Sequence, residues 1–143
     1  MAEKYLPVSH FLVDWGGARL GFSEVSGLEI ENSVIEYREG SSPENKTIKM
    51  PGLTKFGNIV LKRGIIAGDN DFFTWFNTTQ LNKVDRRDLT ISLLDEEHNP
   101  TMVWRAKNAF PAKIQGPTLN AESGEIAIET LEVAHEGLVI VNG

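Results

Sequence analysis

The stretch from Ile35 to Gly64, IEYREGSSPENKTIKMPGLTKFGNIVLKRG, decides how this chain is read. Its two ends have strand character: Val34, Ile35 and Tyr37 before it, and Ile59, Val60 and Leu61 near its close, are β-branched, aromatic or aliphatic. Between them runs an arm over residues 39–57, from Glu39 to the Phe56-Gly57 pair. Gly40-Ser41-Ser42-Pro43 is turn chemistry, Lys46 and Lys49 are cationic, and Met50-Pro51-Gly52-Leu53 is a second punctuation. A connection of this length is uncommon in a compact domain and signals either function or disorder. Thr47-Ile48-Lys49-Met50 alternates polar and apolar as a strand does, and Leu53 and Phe56 follow, which favours order. Hydrophobes on an arm with no local core point to another subunit as the surface they pack on. Pro51-Gly52 is expected to set the bend of the arm, glycine supplying conformations that other residues resist.

The rest of the chain fits one domain, residues 1–143. At this size a globule buries roughly 68–70 % of its unfolded surface, enough for a core without covalent staples. There is no cysteine, so disulfides and thiolate metal sites are excluded. The N-terminal stretch lacks the apolar segment of a Sec signal, and no run is long enough for a membrane helix. The net charge of −6 argues against general nucleic-acid binding. Its distribution is uneven. Glu44–Arg63 holds five basic residues and one acidic, Leu20–Tyr37 holds four glutamates and no base, and the chain from Gln115 onward holds five glutamates and no base. Either these are solvated strand faces, or the basic arm (Lys46, Lys49, Lys55) docks on an acidic surface of a neighbouring copy. Glu29, Glu31, Glu129 and Glu132 are the candidate counter-surface.

Taken in order, His10–Trp15 and Arg19–Val25 read as a hairpin across Gly16-Gly17. Leu28-Glu29-Ile30-Glu31 begins a strand that bends near Asn32-Ser33 and runs to Glu39. A strand follows the arm from Asn58 to Arg63. Asp69-Asn70-Asp71 opens a helix over residues 70–81, with Phe72, Phe73 and Phe76 at helical spacing and Trp75 widening the stripe that packs on a sheet. Asp88–Asp95 and Thr101–Phe110 form a hairpin, and Pro111–Pro117 is a further extended piece. Ile126 and Ile128 share one parity while Leu131 and Val133 take the other, which a β-bulge near Glu129-Thr130 reconciles. Leu138–Val141 ends the chain. Strands without strand–helix alternation point to a mainly β (α+β) fold: two packed antiparallel sheets in a flattened barrel or sandwich, one flanking helix, and the long inter-subunit arm.

No constellation carries chemistry. His10, His98 and His135 are isolated in sequence; Asp95-Glu96-Glu97-His98 reads as a solvated turn; Asp69-Asn70-Asp71 lacks the later ligands of a calcium loop. Arg86-Arg87-Asp88 reads as a strand-entry ion pair, and Trp15, Trp75 and Trp104 as core or interface aromatics. No catalytic residue, metal site or cofactor is assigned.

The chain resembles the tail tube proteins of contractile phages and the inner tubes of extracellular contractile injection systems. The residues that carry the likeness are Trp15–Leu28, Ile35–Gly40, Lys49–Leu53 and Leu61–Gly64. Further along come Gly68-Asp69-Asn70 with Trp75 and Asn77, Arg86-Arg87-Asp88, Asn108–Pro111 with Lys113, Glu129 with Leu131-Glu132, and His135–Leu138. The resemblance implies hexameric rings stacked into a tube, strands of neighbouring subunits joined around a lumen, and the arm reaching an adjacent subunit. It also implies sheath, baseplate or spike, and terminator proteins as partners, with protein effectors or DNA as cargo driven through a target envelope. Such a protein is made in the cytoplasm and assembled into a virion-like particle. The alternative is a non-enzymatic β-sandwich adaptor, or a secreted ring protein of the type VI kind, binding a partner through the arm.

Overall fold

Alternating apolar positions along Ile59–Gly64 and Ile128–Ala134 make two strands that pair antiparallel and point Ile59, Leu61, Leu131 and Val133 into one core. The computed structural model describes residues 4–41 and 46–141. In chain order the elements are β1 (Phe11–Asp14), β2 (Glu24–Ser26), β3 (Ile30–Arg38), β4 (Thr47–Phe56), β5 (Ile59–Gly64), α1 (Asp71–Gln80), β6 (Arg87–Leu94), β7 (Pro100–Gln115), β8 (Ile128–Ala134) and β9 (Gly137–Ile140). Hydrogen bonding runs β1-β6-β7-β8-β5-β2, with β9 on β7; among the described residues β3 and β4 pair only with each other.

β7 belongs to both layers. Its first half pairs with β6 and β9, and its second half, from Phe110 to Gln115, pairs with β8. The halves meet at Asn108, which has φ +52°. Its N–H donates to Asp88 Oδ1 at 3.1 Å, and its side-chain amide donates to Glu136 Oε2 at 2.9 Å. The irregularity switches parity, so Ala106 and Ala109 both face the core. The extended piece after Phe110 is therefore the continuation of β7. The two layers pack face to face, but the strand order ends at β1 and β2, so the barrel is not closed.

Three local expectations change. Across Gly16-Gly17 there is no hairpin: β1 lies beside β6 and β2 beside β5, with Val13 N–H to Leu20 O (3.2 Å) linking the two arms of the connection. The cause is Trp15, which is fully buried and donates its indole N–H to Arg19 O at 2.8 Å. A Cβ at Gly17 would lie 2.1 Å from that indole, so the glycine lets the chain wrap over the ring. Near Glu129-Thr130 there is no bulge. The β5–β8 register is continuous, the extra residue is Ala112 in β7, and Ile126 lies outside the strand, exposed. On α1, Phe72 and Trp75 are buried and Phe76 is half-buried, whereas Phe73 is 57 % exposed and faces away from the core. Asn70 occupies the cap position without a side-chain bond; Asp69 Oδ1 accepts the Asp71 N–H at 3.2 Å instead.

The β6–β7 turn is held by Asp95, which accepts the Asn99 and Glu97 amides, each at 2.9 Å. These bonds, that of Asn99 first, hold its carboxyl below the ordinary value.

Arg63, on β5, is the one charged side chain fully buried among the described residues. Its Nε donates to Glu129 of β8, Nη2 lies 3.7 Å from Asp69 Oδ1, and Cζ sits 3.8 Å from the Phe72 ring centroid. Trp15 and Phe22 complete the aromatic surround, at 5.3 and 5.9 Å. Asp69 is in turn held by Arg19 at 3.0 Å, and Arg19 also donates to Gly64 O at 2.8 Å. The hydrogen bond from Arg19, with the Asp71 amide and Arg63 adding to it, keeps the Asp69 carboxyl below its ordinary value.

Removing one partner of a buried ion pair costs about 3–5 kcal/mol, because the other charge is left uncompensated. Arg63→Ala is expected to lose stability of that order in urea unfolding, with Leu61 and Leu131 still apolar around the gap. Asp69 contributes stability above the ordinary carboxylate value of 3.8, and loses it as the pH falls through its lower folded value. Asp69→Asn is therefore less stable than the native chain at pH 7. The difference narrows as both are titrated into the acid range, which unfolding curves at several pH values would measure.

Candidate functional site

The arm is one strand of a two-stranded ribbon. Alternation in Ile35-Glu36-Tyr37-Arg38 is mirrored in Thr47-Ile48-Lys49-Met50, and the two segments pair antiparallel: Ile35 opposite Met50, Glu36 opposite Lys49, Tyr37 opposite Ile48, Arg38 opposite Thr47. The site thus begins at Ile30, earlier than the expected arm. Glu39 and Gly40 follow β3, Lys46 precedes β4, and Ser42-Pro43 of the expected turn lies outside the described residues.

Gly52 does not act through an unusual backbone angle; it is absent from the positive-φ residues. Between Asn32/Thr54 and Val34/Pro51 the register shifts, so Gly52 and Leu53 together oppose Ser33. This is a β-bulge on β4. A Cβ at Gly52 would sit 3.1 Å from Ser33 O and 3.2 Å from Ile35 Cγ1. The irregularity falls at the place where a bend is expected, and what Gly52 supplies there is room for the Ser33 carbonyl and the Ile35 side chain.

The ribbon is fixed at its root. Gly57 N–H donates to Glu29 O at 3.3 Å, His135 Nε2–H donates to Gly57 O at 2.9 Å, and the Phe56 ring lies 5.6 Å from the His135 ring. Beyond the root it leaves the sandwich. Ile30, Val34, Ile35, Tyr37, Ile48, Met50 and Leu53 are 45–79 % exposed, with Leu53 at the upper limit. Side-chain alternation puts Ile35, Tyr37, Ile48 and Met50 on one face, and Val34 and Pro51 on the other. Both faces need cover, since an isolated two-stranded hairpin is marginal in water.

The acidic candidates separate. Glu129 is committed to Arg63 inside the molecule, which removes it from an external counter-surface. Glu132 accepts a hydrogen bond from Asn58 at 3.0 Å. Glu31 stands opposite Lys55 within the ribbon, and Glu29 packs beside Gly57 at its root. The basic residues Lys49 and Lys55 face glutamates of their own chain. A simple division into cationic arm and anionic body does not describe the molecule.

The apolar faces of β3 went unread as part of the site, although two adjacent hydrophobes, Val34-Ile35, cannot both face one core from a strand. A second apolar feature opens between β1 and β2, where the layers fail to close. Val8, Phe11, Val25, Leu28, Leu93 and Trp104 line a cavity of about 170 Å³ there. Arg87 of the Arg86-Arg87-Asp88 run pairs with Asp85 at 2.9 Å and lies over Trp75 at 4.9 Å, while Arg86 pairs with Glu136 at 3.1 Å. Those are structural contacts of the sandwich.

The core is packed, and the β-ribbon beside it carries apolar residues that are exposed in the single chain. Residues 7–139 match the model of the T4-like virus tail tube protein gp19 family. The chain belongs to that family, and its role is that of a tube subunit. A chain of the sheath–tube complex of an extracellular contractile injection system, PVC, in the extended state is 34 % identical. The match covers 99 % of this chain and 94 % of that one, with a TM-score of 0.89. A chain of the anti-feeding prophage tube-terminating cap is also 34 % identical, covering 100 % and 95 %, with a TM-score of 0.90. Hcp1 from Flavobacterium johnsoniae shares the fold at 15 % identity and a TM-score of 0.56, over 93 % and 95 % of the chains. No curated protein matches the sequence.

Gly52→Val is expected to push β3 and β4 apart at the bulge and abolish assembly. The sandwich, whose fully buried core residues lie outside the ribbon, keeps its melting temperature. Sedimentation and thermal unfolding of the same sample would separate the two effects; an assembled Gly52→Val would refute the close-approach account.

Proposed function

We propose that this chain forms hexameric rings that stack into the inner tube of a contractile tail or injection system. The tube is a conduit through which protein effectors or DNA pass when a surrounding sheath contracts. The observation that carries the reading is the ribbon, whose exposed apolar residues lie on both faces, while among the described residues only Phe56 at its root packs against the core. Such a segment acquires its cover from other copies. Contacts of one patch with a different patch close into a ring when the rotation closes, and extend without limit when it does not. A tube uses both. Full-length similarity to chains of sheath–tube and cap assemblies supports sheath, baseplate and terminator proteins as partners here. The role in this reading is architectural: the charged clusters are ion pairs of the fold, and the full-length relatives are chains of tube and cap assemblies.

Negative-stain electron microscopy with light scattering on the purified protein tests this. Rings or tubes are the expected result, with half-lengths of ribbon removed giving monomers of native near-ultraviolet circular dichroism. A strict monomer at high concentration, both alone and with the baseplate proteins added as template, would overturn the reading.

A further inference from the structure

Two features outside the ribbon are apolar, exposed and of opposite charge. The first is the loop of residues 116–127 between β7 and β8, where Leu119 and Ile126 are 86 % and 78 % exposed. The loop is held by its own bonds: the Glu122 amide donates to Asn120 Oδ1 at 3.0 Å, and the Glu125 amide to Ser123 Oγ at 3.2 Å. It borders an open cavity of about 370 Å³ lined by Leu119, Glu125 and Ile126. Exposed Ile65 joins its base, donating its N–H to Ala127 O at 2.9 Å. The charged residues of the loop, Glu122 and Glu125, are both acidic.

The second feature is the turn after α1. Leu81 and Val84 are exposed there, with Lys83 between them. The Lys83 amide donates to Thr78 O at 3.1 Å, the Asp85 amide to Thr78 Oγ1 at 3.2 Å, and the Trp75 indole to Asp85 O at 2.7 Å. Lys107 stands at the same end. Its carbonyl accepts the Glu136 amide, and the Glu136 carboxylate pairs with Arg86, two residues beyond Val84. Among the described residues none of Glu122, Glu125, Lys83 and Lys107 forms an ion pair.

The helix and the sheet both place these features at opposite ends of the sandwich. α1 starts beside Asp69, which is tied to Arg19 and Arg63, and reaches the basic turn roughly 15 Å further on, at 1.5 Å per residue. β8 starts at Ile128, where the acidic loop ends, and finishes at Ala134, next to the turn that carries Glu136.

We propose that the loop of one copy seats against the α1 turn of the next copy, Glu122 and Glu125 facing Lys83 and Lys107. The inference rests on the tube reading and adds a docking surface separate from the ribbon. A second copy is the occupant because this chain carries both halves of the contact: apolar side chains on each, acid around one and base around the other. The halves differ and lie at opposite ends, so each contact leaves one free surface of either kind. Such a contact repeats along the line of α1 and joins one ring to the next.

Variants of the full chain test this by negative-stain electron microscopy and light scattering: E122K/E125K, K83E/K107E, and the fourfold combination that reverses both surfaces. Each double variant is expected to form tubes only at roughly tenfold higher protein concentration, the factor that corresponds to ~1.4 kcal/mol per contact. The fourfold variant is expected to recover most of that factor, because acid again faces base. L119S/I126S is expected to fail as the double variants do. All four are expected to keep the native melting temperature, since the altered residues are exposed and outside the core.

Tubes at the native concentration from either charge-reversed double variant overturn the inference, even if that variant no longer takes up a sheath, which would put a sheath subunit on the surface instead. A fourfold variant no better than the doubles also overturns it, since the two ends would then not meet. Failure of the native chain to assemble, alone and with baseplate proteins, is the separate result that refutes the tube reading.

Discussion

The buried guanidinium of Arg63 is the constraint around which the sandwich is arranged. A charge at zero exposure is tolerated only where opposite charge and hydrogen-bond acceptors come to it. Here Glu129 arrives from β8, Asp69 from the start of α1, and Phe72, Trp15 and Phe22 supply aromatic faces. Nη1 and Nη2 have no hydrogen-bond acceptor, so ring faces stand in for part of the solvation they lose. The arrangement fixes where the helix begins and how the connection after β1 folds. Arg19, through Asp69 and Gly64 O, closes it from outside. This cluster holds the start of the helix, while Phe72 and Trp75 bury its face and the Trp75 indole donates to Asp85 O.

Stability is thereby placed on residues outside the ribbon. The core cluster is drawn from β1, β5, α1, β6, β7, β8 and β9, with residues of the connections, and takes nothing fully buried from β3 or β4. The ribbon is attached by backbone and ring contacts at Gly57, Glu29, Phe56 and His135. The cost of ordering the ribbon is met when its faces are covered, as for other segments that bury their apolar surface only on binding.

How far this was legible in the sequence depends on the range of the interaction. Strands with regular alternation, such as β5 and β6, and the helix with its acidic start were readable locally. The unusual arm was recognisable because it lacked anything to pack on. What could not be read were pairings set by distant side chains. Gly16-Gly17 looks like a hairpin until Trp15 is known to be buried beneath it. Leu131 and Val133 look out of phase with Ile126 until the strand is seen to start at Ile128. Glu129 looks like a surface acid, and only the fold brings Arg63 to it from the other side of the chain. Phe73 shares helical spacing with Phe72, yet adjacent residues on a helix diverge by about 100° and one of them must face out.

An uncovered ribbon is also a hazard, since an open edge accepts any strand. The residues of β4 limit that. Pro51 removes a donor from the strand, the bulge at Gly52-Leu53 breaks its straight edge, and Lys49 and Lys55 place ammonium groups on it. Each device weakens nonspecific pairing more than pairing with a matched strand. A random edge meets unpaired charge and an irregular register, while a strand bearing glutamates at the right spacing meets complementary charge. The features that make the segment look unlike an ordinary strand in sequence are therefore those that blunt an open edge, and they do so without removing the apolar faces of the ribbon.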